Sequence, residues 1–76
     1  MSDIRENRPA APPHYLRAVL TPTQYRYYTD YLYHGLKLAD ISLQYDVDIT
    51  TVCRTLQRAR QRVLRYLEDE QRKAAQ

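Results

Sequence analysis

An all-α fold, a small helical bundle, is expected of this chain on three observations. Apolar residues recur at helical spacing in three separate stretches. Those stretches are punctuated by helix starts at Thr21-Pro22 and Asp48 and by helix stops at Gly35 and Asp46. The third observation is length: 76 residues, 43% of them hydrophobic, allow one domain with a thin core.

Residues 1–13, MSDIRENRPAAPP, read as a flexible N-terminal arm. Apolar content is low, charges are mixed, and Pro9, Pro12 and Pro13 favour extended backbone. The alternative to a plain flexible terminus is an arm that follows the DNA backbone or a minor groove through Arg5 and Arg8. From His14 to Leu20 a short helix is expected, with Tyr15, Leu16, Val19 and Leu20 as its contacts. Thr21-Pro22-Thr23-Gln24 is a second start, with Thr as N-cap, Pro at the first helical position and Gln three after the cap. That helix should run to about His34 and stop at Gly35 in a left-handed conformation. Tyr25, Tyr28 and Leu32 share one of its faces, and Tyr27 and Tyr31 flank that face. All eight aromatics are Tyr, which suits a thin core whose rings reach water at the hydroxyl.

A third helix is expected from Leu38 to Tyr45, with Leu38, Ile41 and Ser42 on one face. Asp46 follows where the chain must turn, as one of the few residue types that tolerate a left-handed conformation. Val47 plugs the turn into the core, and Asp48 is suited to cap the next helix. The fourth helix, 49–67, carries an apolar stripe of Val52, Leu56, Ala59, Val63 and Tyr66 or Leu67. Its opposite arc holds Thr50, Arg54, Gln57 and Gln61, with Arg58, Arg62 and Arg65 alongside. Glu68, Asp69 and Glu70 sit badly at the negative end of the dipole, so the helix should end there and 71–76 should fray. Cys53, at the edge of the stripe, reads as a small packing residue.

Composition narrows the function. A net charge of +3 and a pI near 9.2 say little, but five arginines and no acid lie between Ile49 and Leu67. One cysteine excludes an internal disulfide and a cysteine-cluster metal site, and a cytoplasmic setting is the simpler expectation. No apolar run approaches the roughly 20 residues of a membrane span. A single glycine leaves no Walker loop or dinucleotide fingerprint. His14 and His34 lie apart, neither with an expected carboxylate or nucleophile at a useful spacing, and His34, in the last turn of its helix, is expected to serve the helix dipole. No catalytic residue, cofactor or metal is therefore expected. A helix apolar inside and arginine-rich outside, presented by a short helix and a turn, is the physical plan of a helix-turn-helix DNA reader.

Three motifs then carry a family resemblance. Thr51 to Arg60, TVCRTLQRAR, resembles the TVxxxLxRAR run in region 4 of bacterial sigma factors of the extracytoplasmic-function type. Gly35 to Ser42, GLKLADIS, resembles that family's G-L-S-x-x-E-I-A, and Leu20 to Gln24 resembles its L-P-x-x-Q. The three stand in family order and spacing over residues 16–67, within a domain expected to span 14–70. The chain departs from the pattern at Lys37, Asp46 and Asp48. The resemblance implies a stand-alone promoter-recognition module that regulates transcription in a bacterium or phage, with double-stranded DNA as partner and RNA polymerase as a second one. In this motif the first turns of the long helix enter the major groove. Thr50, Thr51, Arg54 and Gln57 are then the base contacts, with Arg54 suited to guanine and Gln57 to adenine. Arg58, Arg62 and Arg65 lie further along and suit phosphates, while Arg60 is expected to pair with an acid such as Asp40. Two other readings stay open: a polymerase-binding module that uses its exposed tyrosines, and a DNA-packaging or recombination adaptor. A homodimer through Leu64, Tyr66 and Leu67 competes with those side chains folding back onto Tyr15 and Leu16.

Overall fold

The computed structural model describes residues 11–75. Helix α1 (Tyr15–Val19) leads to α2 (Pro22–Leu32), α3 (Leu38–Tyr45) and the long α4 (Ile49–Ala75), and the described residues contain no strand. The expected arm, 1–13, lies outside the described residues except for its last three positions.

Local chemistry sets most of the boundaries. The Thr21 hydroxyl accepts the Gln24 N–H at 3.2 Å, and Gln24 Oε1 accepts the Thr21 N–H at 3.1 Å, so both halves of a capping box open α2. The helix ends at Leu32, two residues sooner than expected, where the Thr29 carbonyl takes the N–H groups of both Tyr33 and His34. Gly35 then turns the chain at φ 72°. At α3 only one half of the box exists. Asp40 Oδ2 accepts the Lys37 N–H at 3.3 Å, but the Lys37 ammonium has no lone pair with which to answer.

The exit from α3 explains why a short turn suffices. Asp46 takes the left-handed conformation at φ 56°, ψ 52°. Its N–H donates to the Leu43 carbonyl at 3.4 Å, and the Val47 N–H donates to the Ser42 carbonyl at 3.0 Å. These two bonds form a Schellman motif, and Val47 packs its side chain into the core as that motif prefers. Main-chain bonding resumes at once, with the Val52 N–H on the Asp48 carbonyl at 3.2 Å.

Helix α4 is the spine of two core clusters. Near its start, Val52 meets Ile41 of α3 and Tyr27 of α2, with Leu36, Leu38, Tyr45, Val47 and Leu56 packed around them. Further along, Ala59 and Val63 meet Leu16 and Leu20, with Tyr15, Val19, Tyr25, Tyr28 and Tyr33 around them. Leu16, Ile41 and Val52 are sealed from solvent, and each such side chain stabilises the fold by about 1.5–3 kcal/mol. Ala59, fully buried, is small enough to let α1 lie close to α4.

Four expectations need correction. Helix α4 does not end near Leu67 but continues to Ala75, through the segment expected to fray. Pairs Asp69–Arg72 at 3.6 Å and Glu70–Lys73 at 3.7 Å offset the acids' unfavourable placement, and Arg72 and Lys73 suit the negative end of the dipole. On α2, Tyr25 and Tyr28 pack against the core as their shared face implies, but the buried apolar side chain is the flanking Tyr27, turned towards α3, while Leu32 stays 47% exposed. His34 does not merely face the helix dipole: its Nδ1 lies 3.2 Å from Asp30 Oδ1. Tyr66 folds back to stack on Tyr15, with ring centroids 4.7 Å apart, whereas Leu64 and Leu67 remain exposed.

Candidate nucleic-acid interface

The candidate interface is the outer face of α4. Thr50, Thr51, Arg54, Gln57, Arg58, Arg62 and Arg65 are all exposed. At 3.6 residues per turn, Thr50, Arg54, Gln57, Arg58, Gln61 and Arg65 fall within about 100° of arc, opposite buried Val52, Ala59 and Val63. Thr51 and Arg62 lie on the flank of that arc. The face is therefore polar throughout and carries positive charge only, because no acid occurs within α4 before Glu68. Asp46 and Asp48, both exposed, put negative charge at the approach to its first turn.

Two regions can be distinguished along the face. The first two turns present hydroxyls, one guanidinium and one amide, which are groups that donate and accept in fixed directions. Further on, Arg58, Arg62 and Arg65 line a groove of about 240 Å³ together with Gln61 and, from the first turn of α2, Gln24. Three guanidiniums in a shallow open groove mutually repel, and an anion between them would relieve that repulsion. The expected phosphate-type residues are thus brought together by the fold. Arg60 is not among them, nor does it pair with Asp40, whose carboxylate is held by the Lys37 N–H. It lines a different groove with Tyr28, Tyr31, Leu32 and Leu56.

The sequence reading missed two features. Arg62 Nε donates to the Val19 carbonyl at 2.9 Å, so this guanidinium also closes the C-terminal end of α1. Its remaining N–H groups are left for the groove. The second is Asp30, 7% exposed, whose Oδ2 accepts from the Tyr45 hydroxyl at 2.7 Å while Oδ1 faces His34. This network ties α2 to α3 and so fixes the frame from which α4 projects. Burial, then the bond to Asp30 and its negative charge, push the Tyr45 hydroxyl above its ordinary value of 10.0. The i, i+4 spacing of Asp30 and His34 was the available sequence signal; Tyr45, 15 residues on, had none. Arg17 lies over the Tyr25 ring at 4.6 Å and Arg26 over Tyr45 at 5.9 Å, which packs two further cations against aromatic faces.

Among the described residues no three His, Cys, Asp or Glu side chains converge on a point that could hold a metal ion. No helix among them is long and apolar enough to cross a membrane. Cys53 is a half-buried free thiol. Comparisons with protein-family models, with curated proteins and with solved structures return no match for the chain.

Proposed function

We propose that the chain is a sequence-specific double-stranded DNA-binding protein that regulates transcription. Its α3–turn–α4 unit acts as a helix-turn-helix, similar to region 4 of a sigma factor, with the first turns of α4 in the major groove. One observation carries this reading: an exposed, acid-free face on a helix whose opposite face is locked into the core through Val52, Ala59 and Val63. A rigid helix that projects hydrogen-bonding groups at one end and arginines further along suits base edges and phosphates respectively. The like charges of Arg54, Arg58 and Arg62 at i, i+4 spacing are unfavourable in isolation, and phosphates would reverse that cost.

Base contact is assigned to Thr50, Thr51, Arg54 and Gln57, and phosphate contact to Arg58, Arg62 and Arg65. Polymerase contact is a secondary role in this reading. A randomised-duplex selection tests it. The expected result is one enriched motif that loses preference at a single base pair in Arg54→Ala. Binding without any preferred sequence would replace the promoter reading with that of a packaging or recombination adaptor, and no duplex binding at low salt would end both.

A further inference from the structure

A second apolar strip runs beside the core face of α4. Leu56, Arg60, Leu64 and Leu67 fall within about 80° of arc, centred roughly 90° from the Thr50–Arg54–Gln57–Gln61 face. Leu64 is 48% exposed and Leu67 40%. The strip widens over α2, where Tyr28, Tyr31, Leu32, Leu56 and Arg60 line a groove of about 300 Å³. Tyr31 and Leu32 stand 44% and 47% exposed on its rim. Continuing along α4, the strip reaches Gln71 and Ala74 on the part of the helix beyond the core clusters. The spacing of Arg60, Leu64, Leu67, Gln71 and Ala74 alternates four and three, the period of a helix–helix seam.

We propose that this strip is the seam of an antiparallel homodimer, in which the last turns of α4 from one copy fill the groove beside Leu32 of the other. Charge selects both the partner and its direction. In a parallel pair Arg60 would face its own copy, and so would the acids Glu68 and Glu70. In an antiparallel pair with Leu64 against Leu67, Arg60 lies opposite Gln71 of the second copy, one turn or less from its Glu68 and Glu70. Shifting the register by one or two residues one way sets Arg60 level with Glu70 or Asp69, whereas the opposite shift sets it against Arg72 or Lys73 and is disfavoured. The same pairing lays Ala74 of the second copy against the Leu56–Gln57 level, where small side chains fit beside Tyr31 and Leu32. It also accounts for a helix that extends well beyond its own core.

The consequence for DNA rests on the function proposed above. The dyad of such a pair lies perpendicular to the seam, so both Arg54 faces point the same way. At 1.5 Å per residue the two Arg54 positions are separated by about 34 Å along the pair. That matches the spacing of roughly 34–36 Å between half-sites one turn of DNA apart.

The test uses the whole chain. Sedimentation equilibrium at micromolar concentration should give a dimer, and Leu64→Asp should give a monomer with unchanged helical circular dichroism. Arg60→Glu should dissociate the dimer, and Glu68→Lys with Glu70→Lys in the same chain should restore it. Spin labels on Arg54→Cys in a Cys53→Ser background should lie about 36 Å apart, the axial separation combined with the distance between helix axes, against about 10 Å for a parallel pair. A wild-type monomer at high micromolar concentration overturns the proposal, as does a charge reversal that fails to rescue or a label distance near the shorter value. A confirmed dimer that binds no DNA would sink the promoter reading alone, and a DNA-binding monomer would sink the dimer alone.

Discussion

At the scale of single residues, Asp30 and Arg54 illustrate opposite relations between burial and role. Asp30 is a buried acid whose two oxygens each have a partner, and its value is structural. Tyr45→Phe removes the 2.7 Å donor while leaving the carboxylate inside. A loss of about 1–3 kcal/mol in urea unfolding is expected, because a buried acceptor is left unmet. The raised Tyr45 hydroxyl also sets a pH dependence. Its neutral form is favoured in the folded state, so its contribution is complete below the ordinary value of 10.0 and is lost as pH rises through the higher folded value. Burial raises Tyr28 and Tyr33 in the same direction. Stability should therefore fall above about pH 10, and less steeply in Tyr45→Phe, as followed by unfolding at stepped alkaline pH. Arg54, by contrast, is exposed and contributes nothing visible to the core. Arg54→Ala should leave unfolding unchanged yet cost about 1–3 kcal/mol on the preferred duplex, with preference relaxed at one base pair. Arg65→Ala should weaken all duplexes evenly, and titration against matched and mismatched sites separates the two effects.

At the scale of elements, the turn between α3 and α4 is held by a non-glycine residue in left-handed geometry. Asp46→Gly should stabilise the protein by up to about 1 kcal/mol, because relief of the left-handed cost slightly exceeds glycine's entropic penalty. Asp46→Val should destabilise it by about 1–2 kcal/mol, since a β-branched side chain is excluded from that region. Urea midpoints of the two variants check both signs. The turn was readable from sequence because every bond in it spans five residues or fewer. The same holds for the Thr21–Gln24 box and for Gly35. The far end of α4 was misread because the dipole argument weighed Glu68, Asp69 and Glu70 alone. The pairs to Arg72 and Lys73, one turn later, and the lack of any Pro or Gly from Ile49 onward favour continuation.

At the scale of the whole molecule, α4 couples the core to the charged face. The groove formed by Arg58, Gln61, Arg62, Arg65 and Gln24 joins α4 to the start of α2, while Arg62 also holds the end of α1. Duplex affinity should depend steeply on salt, and the slope of log affinity against log salt should fall by about 0.9 for each of Arg58, Arg62 and Arg65 replaced by Ala. Arg62→Ala should in addition lower stability, because the Val19 carbonyl loses its donor. An unchanged slope in the triple variant, measured where circular dichroism shows it folded, would remove these three residues from the interface.

The sequence alone was enough for four helices in order, for three of their junctions and for the facing of α4. Those features follow from periodicity and from caps that act within a few residues. Which side of α2 is buried was decided only in three dimensions. Tyr27 and Leu32 offer comparable apolar area, and the choice depends on where α3 crosses. The same is true of the Asp30–Tyr45 bond, of Arg62 on Val19 and of Tyr66 on Tyr15, each joining residues far apart in the chain. A pattern within one helix reports that helix's faces, but the partner each face meets depends on crossing geometry that no single segment encodes.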